Sequence, residues 1–260
     1  MSETINLTGK TKEVVLPSGH KVTLQEQNGY HDELLSSVAD ATTGMGYNKF
    51  VADIVIKTDL TPSGKLTLAD VNNLLQLDFA TIIIASRIHS IGPELRFSFD
   101  WGNGMKKFYV ENLEPYLLDY GKPVEEDPQM GSPDYFGLAC PRYPNGKQRE
   151  VELTLTSGKK VKYQLTTRGD ELKLLEYDPE HLNINTKLRI RNLQMEHSGN
   201  WVKVDQFRTF SSKDMREIRT SVNRNDPDFF GISEVQNPST GERRQVSLLE
   251  VPDFFFPAEI

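Results

Sequence analysis

Leu16-Pro17-Ser18-Gly19-His20-Lys21-Val22 and Leu155-Thr156-Ser157-Gly158-Lys159-Lys160-Val161 are two copies of one short text, and their reading decides the fold. The copies lie 155 − 16 = 139 residues apart. Around the second, apolar residues alternate along Val151, Leu153, Leu155 and again along Val161, Tyr163, Leu165, the period of a half-buried strand. Ser-Gly between the runs supplies the positive φ that a tight turn needs. Each copy therefore predicts a β-hairpin. Asp32-Glu33-Leu34 follows the first and Asp170-Glu171-Leu172 the second, at 170 − 32 = 138, so one deletion is expected between the copies. The acidic pair opens a helix in both, over 33–40 and 171–175, with its carboxylates at the positive end of the helix dipole.

Helical patterns follow each hairpin. Thr67 predicts an N-cap with Asp70 as an acidic capping box, and Leu68, Val71, Leu74 and Leu75 recur at helical spacing. Asp78 restarts a helix through Ile82, Ile83, Ile84 and Ile88, ended by Gly92-Pro93. In the second half, helices are expected over 186–195, stopped by Ser198-Gly199, and from Ser212 or Lys213 to Arg224, closed by Asp226-Pro227. Each half then ends in aromatic, strand-like text: 95–99 with Phe108-Tyr109-Val110, and Phe229-Phe230 with 246–249. The predicted fold class is thus α+β, built of two related halves, 1–120 and 146–260. Between them 121–145 carries Pro123, Pro128, Pro133, Pro141, Pro144 and the run Glu125-Glu126-Asp127. Prolines withhold ladder donors and the acidic run stays solvated, so this stretch reads as a linker or long surface loop.

Composition narrows the function classes. The 30 Lys+Arg against 37 Asp+Glu give a formal charge of −7, which argues against direct nucleic-acid binding by charge. Hydrophobic residues at 37% allow a core, but a thin one, and 14 Pro with 18 Gly favour short elements over a long bundle. The most apolar run, 79–91, is interrupted by Thr81, Ser86, Arg87, His89 and Ser90, so no membrane partner is expected. The opening Met1-Ser2-Glu3-Thr4-Ile5-Asn6 has no basic stretch leading into an apolar one, and no secretory leader is expected. Cys140 alone excludes an internal disulfide and a four-thiolate zinc site, which suits a reducing compartment.

No catalytic, cofactor-binding or metal-ligating residues emerge. His20, His31, His89, His181 and His197 form no His-x-x-x-His or Glu-x-x-His pair, and His31-Asp32-Glu33 are neighbours on a helix start, where side chains splay. Cys140 lies between Ala139 and Pro141 without an activating base. Asp100-Trp101-Gly102-Asn103-Gly104 lacks the Lys-Ser/Thr of a phosphate loop and precedes a strand, so Asn103-Gly104 reads as a hairpin turn. Arg87, inside the most apolar helix, must snorkel to water or pair with backbone carbonyls or a buried carboxylate, for which Asp78 and Asp100 are the candidates. Phe254-Phe255-Phe256-Pro257 forms an apolar tail that either packs on its own domain or inserts into a neighbouring subunit.

Taken in order, these motifs resemble the baseplate hub subunit and hub assembly protein family of T-even-type contractile-tailed bacteriophages. The similarity is carried by the Leu-Pro-Ser-Gly hairpin, by 74–78 with Arg87-Ile88-His89-Ser90-Ile91-Gly92, by Leu165-Thr166 with Asp170-Glu171, and by Phe254-Phe255-Phe256-Pro257. It covers most of the chain. Members of that family often carry Cys-x-x-Cys-Gly pairs of a zinc ribbon, and the corresponding stretches here, 100–104 and Pro227-Asp228-Phe229-Phe230-Gly231, have no cysteine. The resemblance implies zinc-ribbon-like hairpins that keep their shape without metal, with Trp101, Phe229 and Phe230 supplying packing and Gly104 a turn.

The function implied is that of a non-enzymatic tail protein, a baseplate hub subunit or assembly chaperone. Its place would be the virion baseplate, or the host cytoplasm during assembly, and its partners other baseplate and tail hub proteins. Contacts would combine apolar anchors with a polar rim. The contact candidates are Phe254, Phe255, Phe256 and Pro257, then Trp201, Phe207 and Phe210; Arg87, Asp78, Trp101, Gly104, Phe229 and Phe230 are assigned structural roles. Two other classes stay open. One is a hydrolase or transferase with a dispersed site, against which no nucleophile, base and orienter converge in the sequence. The other is a phage-encoded, host-facing effector, for which a small isolated domain would be expected.

Overall fold

The computed structural model describes residues 9–37, 40, 43–102, 105–117, 149–175, 184–226 and 232–256. The expected linker 121–145 with Cys140, and His181, Asn103, Gly104, Phe229, Phe230 and Pro257, lie outside the described residues.

Both predicted hairpins form. β1 (Thr11–Val15) pairs antiparallel with β2 (Lys21–Gln25), and β6 (Glu150–Thr154) with β7 (Lys160–Gln164). Their turns are closed by the same bonds. Leu16 N–H donates to His20 O and Gly19 N–H to Leu16 O, both at 2.8 Å; Leu155 N–H donates to Lys159 O and Gly158 N–H to Leu155 O, again at 2.8 Å. Gly19 and Gly158 hold φ of +82° and +84°, a region that L side chains rarely enter.

The first half continues through α1 (Gly29–Ser36), α2 (Met45–Ile54), β3 (Val55–Thr58), α3 (Leu68–Asn73), α4 (Gln76–Ser90), β4 (Glu94–Asp100) and β5 (Lys106–Asn112). The second follows the same order with α5 (Arg168–Leu175), α6 (Ile184–Ile190), β8 (Gln194–His197), an added β9 (Asn200–Lys203), the single helix α7 (Ser212–Asn225) in place of α3 and α4, β10 (Ile232–Gln236) and β11 (Arg243–Ser247). The result is a three-stranded sheet β1-β2-β3, a four-stranded sheet β6-β7-β8-β9 and two ribbons, β4-β5 and β10-β11, all antiparallel. The α+β class is therefore seen directly.

The repeat runs deeper than its text. Hairpins, first helices and third strands begin at one constant offset, since 150 − 11, 160 − 21, 168 − 29 and 194 − 55 all equal 139. The expected deletion is absent, and the Asp-Glu-Leu match is one residue out of register. The equivalent residues are His31 and Asp170, each third in its helix. Each closes a capping box: His31 Nδ1 accepts from Asn28 N–H at 3.0 Å, and Asp170 Oδ2 from Thr167 N–H at 3.2 Å. These caps start the first helices earlier than the acidic pairs suggested. The helix expected over 186–195 also ends sooner, because Asn192 turns left-handed (φ +50°) and sends Met195 into β8. Ser198-Gly199 accordingly forms the β8–β9 turn, with φ of +51° and +80°.

Two hydrophobic cores result, and they interlock. α4 is buried at every position from Leu77 to Arg87, so it is wrapped on all sides. It centres a first core of Leu16, Val22, Leu24, Phe50, Ile54 and Phe97, which also takes in Val235, Leu248, Val251, Phe254 and Phe255 from the far end of the chain. The second core joins Val161, Tyr163, Leu188, Phe210, Ile218 and Val222, and receives Leu75 and Leu77 from the first half. Order along the chain places 146–260 in one half; packing hands 232–256 to the first core. Among the described residues, no helix is long and apolar enough to cross a membrane.

Candidate interaction surface

Two joints hold the halves together. At the first, α3 stops at Leu74-Leu75, whose backbone pairs with the second half: Leu75 bridges Thr167, Gln76 N–H donates to Thr166 O at 2.9 Å, and Arg168 N–H donates to Leu74 O at 2.9 Å. Arg168 then pins the helices around it. Its Nε donates to Asn48 Oδ1 at 2.9 Å, its Nη2 to Gly44 O at 2.9 Å and its Nη1 to Glu171, while the guanidinium lies 4.5 Å from the Phe79 ring centroid. Asn48, fully buried, completes the set by donating to Asn72 Oδ1 at 2.7 Å. No motif singled out Arg168 or Asn48 in the sequence, where both look like ordinary surface-capable polar residues.

At the second joint, the buried Arg87 donates Nε to Phe254 O, Nη1 to Gly92 O and Nη2 to Glu94 O at 3.0 Å. Neither Asp78 nor Asp100 is its partner, which corrects that part of the expectation. Asp78 accepts from Ser18 N–H at 3.0 Å, and Asp100 accepts from Gly102 N–H at 2.7 Å in the ribbon turn. Burial works against the Arg87 charge, and three aligned carbonyls offset it without an acid.

The aromatic tail is fixed by this joint. Phe254 and Phe255 are buried, with the Phe255 ring 5.0 Å from Phe50 and 4.8 Å from Phe254, and Tyr47 O–H donates to Leu249 O at 3.0 Å. Of the two alternatives for the tail, packing on its own domain is the one Phe254 and Phe255 take, against the first core. Phe256 alone of the described tail is exposed. Phe210 is likewise buried, in the second core under Lys159. Phe207 and Trp201 are half-buried, covered by the Arg189 guanidinium at 5.4 Å and the Lys162 ammonium at 4.8 Å. The six described contact candidates are thus not brought to one surface.

Carboxylates from two later helices tie down the repeated hairpin turns. Asp78 and Asp214 are each the third residue of their helix, α4 and α7. Asp78 is buried without a cation, and burial raises its pKa to about 7. Asp214 accepts from Lys159 Nζ at 2.8 Å, which holds its pKa well below the usual carboxylate range. In the first copy of the repeat His20 stands at the position of Lys159, and it turns away to Asp59 at 2.9 Å.

The ribbons pack on each other. Trp101 Nε1 donates to Tyr109 Oη at 2.8 Å, Tyr109 O–H donates to Gln236 O at 2.9 Å, and Ser233 O–H donates to Glu111 Oε2 at 2.6 Å. The Trp101 ring also meets Phe99 at 5.0 Å and the Arg244 guanidinium at 5.5 Å. The outer face of the first ribbon carries Phe108 and Val110, 67% and 62% exposed, the two most exposed of the large apolar side chains among the described residues. Strand alternation signals which residues share that face, but not which face the second ribbon covers. Among the described residues, no three or more His, Cys, Asp or Glu side chains come together as a metal-holding group. Comparison with family models, with curated proteins and with solved structures gives no match.

Proposed function

We propose that this chain works by protein contact, as a baseplate hub subunit or hub assembly chaperone of a contractile phage tail. The observation that supports this reading is where the motifs behind the resemblance fall. The stretch 74–78 meets Thr166, Thr167 and Arg168 in the first joint, and Arg87 ties Gly92 to Phe254 in the second. Motifs scattered over the sequence thus serve one architecture, two interlocked halves with a pair of ribbons packed on each other. Such a body presents shape and apolar side chains, the means by which structural and assembly proteins act.

The test is co-expression of the tagged full chain with the tail proteins of its phage, followed by affinity capture and mass spectrometry. Hub or other baseplate subunits are expected in the captured fraction above an unrelated tagged control. Their absence, or turnover on a broad hydrolase panel that a single acid or histidine substitution abolishes, would overturn the proposal.

A further inference from the structure

We infer that two copies of this chain associate through the open edge of β5, joining their β4-β5 ribbons into one four-stranded antiparallel sheet. The inference stands on the ribbon itself and not on the function proposed above.

The backbone sets the geometry. Trp101 N–H donates to Met105 O and Leu113 N–H to Pro93 O, so the hydrogen-bonded pairs of the ribbon are 93/113, 95/111, 97/109, 99/107 and 101/105. Lys106, Phe108, Val110 and Asn112 therefore point their N–H and C=O groups away from β4, and among the described residues no strand pairs with that side. The same four residues form the exposed face of the strand. Its other edge is not free, because the tail segment Pro252–Phe254 packs along β4.

An open edge is normally blunted by charge or irregularity. The second ribbon shows this: its exposed positions are Glu234, Gln236, Arg243, Arg244 and Gln245, all polar or charged. The first ribbon places Phe108 and Val110 there instead. A second copy fits this edge in one register. When Tyr109 faces Tyr109 of the other copy, Phe108 lies opposite Val110 and Lys107 opposite Glu111, so apolar meets apolar and opposite charges meet. Shifting by one pair sets Phe108 on itself but puts Lys106 against Val110; shifting the other way puts Phe108 against Asn112 and Glu111 against Tyr109. The seven-residue edge buries less than the roughly 1,600 Å² of a standard interface, so the dimer is expected to form and dissociate with concentration.

Sedimentation equilibrium of the full chain over a concentration series tests the association. Carbodiimide cross-linking of an equal mixture of ¹⁴N and ¹⁵N protein tests the register, because Lys107 and Glu111 of one strand are too far apart to join. A monomer–dimer equilibrium is expected, with a Lys107–Glu111 amide linking differently labelled copies. F108S/V110T, which alters only exposed side chains, is expected to weaken the dimer at least tenfold with unchanged circular dichroism. A monomer at every concentration, an undiminished dimer in F108S/V110T, mixed-label cross-links confined to other residues, or a chain that stays monomeric while binding a tail protein by this edge would each overturn the inference.

Discussion

Asp78 and His31 are both buried titratable side chains, and they respond to pH in opposite senses. Burial raises Asp78 from 3.8 to about 7. Between those values the folded chain keeps a proton that the unfolded chain has lost. The stability this group contributes is full below about pH 3.8, falls as pH rises, and is gone above about 7. Asp78→Asn stays neutral and retains an oxygen for Ser18 N–H. Its unfolding free energy relative to the native protein is expected to improve between about pH 4 and 7, by a few kcal/mol in order of magnitude, and then level off. Parallel urea denaturation of both proteins across that range checks this, and pH-independent differences would show that Asp78 is ionised when folded. His31 runs the other way. Burial lowers its pKa below 6.5, and its Nδ1 must stay unprotonated to accept from Asn28, so the helix cap weakens as pH falls.

At the scale of elements, the duplicated hairpin turns are the clearest case of local sequence determining local structure. A Cβ added at Gly19 or Gly158 would meet nothing within 4 Å, so the cost of Ala there is backbone strain alone. Gly19→Ala and Gly158→Ala are each expected to destabilise by about 1–2 kcal/mol, nearly equally, in denaturant titrations. Markedly unequal losses would show that the two turns differ in more than their neighbours. The long apolar helix and the capping box at Thr67 are also legible in the sequence, because they depend on residues within a few positions of each other. The end of α6 is not. Leu193 and Met195 continue an apolar pattern, but pairing with β7 at Val161 draws Met195 into a sheet. The α4 helix shows the same limit, since its Arg87 partners, Gly92, Glu94 and Phe254, are carbonyls that carry no side-chain signature.

For the whole molecule, interlocking matters more than division. The first core lacks Val235, Leu248, Val251, Phe254 and Phe255 unless the far end of the chain returns to it. A fragment of residues 9–117 is therefore expected to be poorly packed alone and to gain a dispersed NMR spectrum when 232–256 is co-expressed; good dispersion without that segment would sink the idea. By itself the sequence determined the α+β class, the doubled hairpin, the central apolar helix and the presence of an aromatic tail, all of which rest on periodicity, turn chemistry and composition. Only the tertiary structure decided that the tail closes the first core, that Arg168 and Arg87 pin the two joints, and that Phe108 and Val110 face outward. The reason is that strand alternation assigns residues to faces without saying which face is covered, and a tail's apolar side chains do not name the half that will bury them.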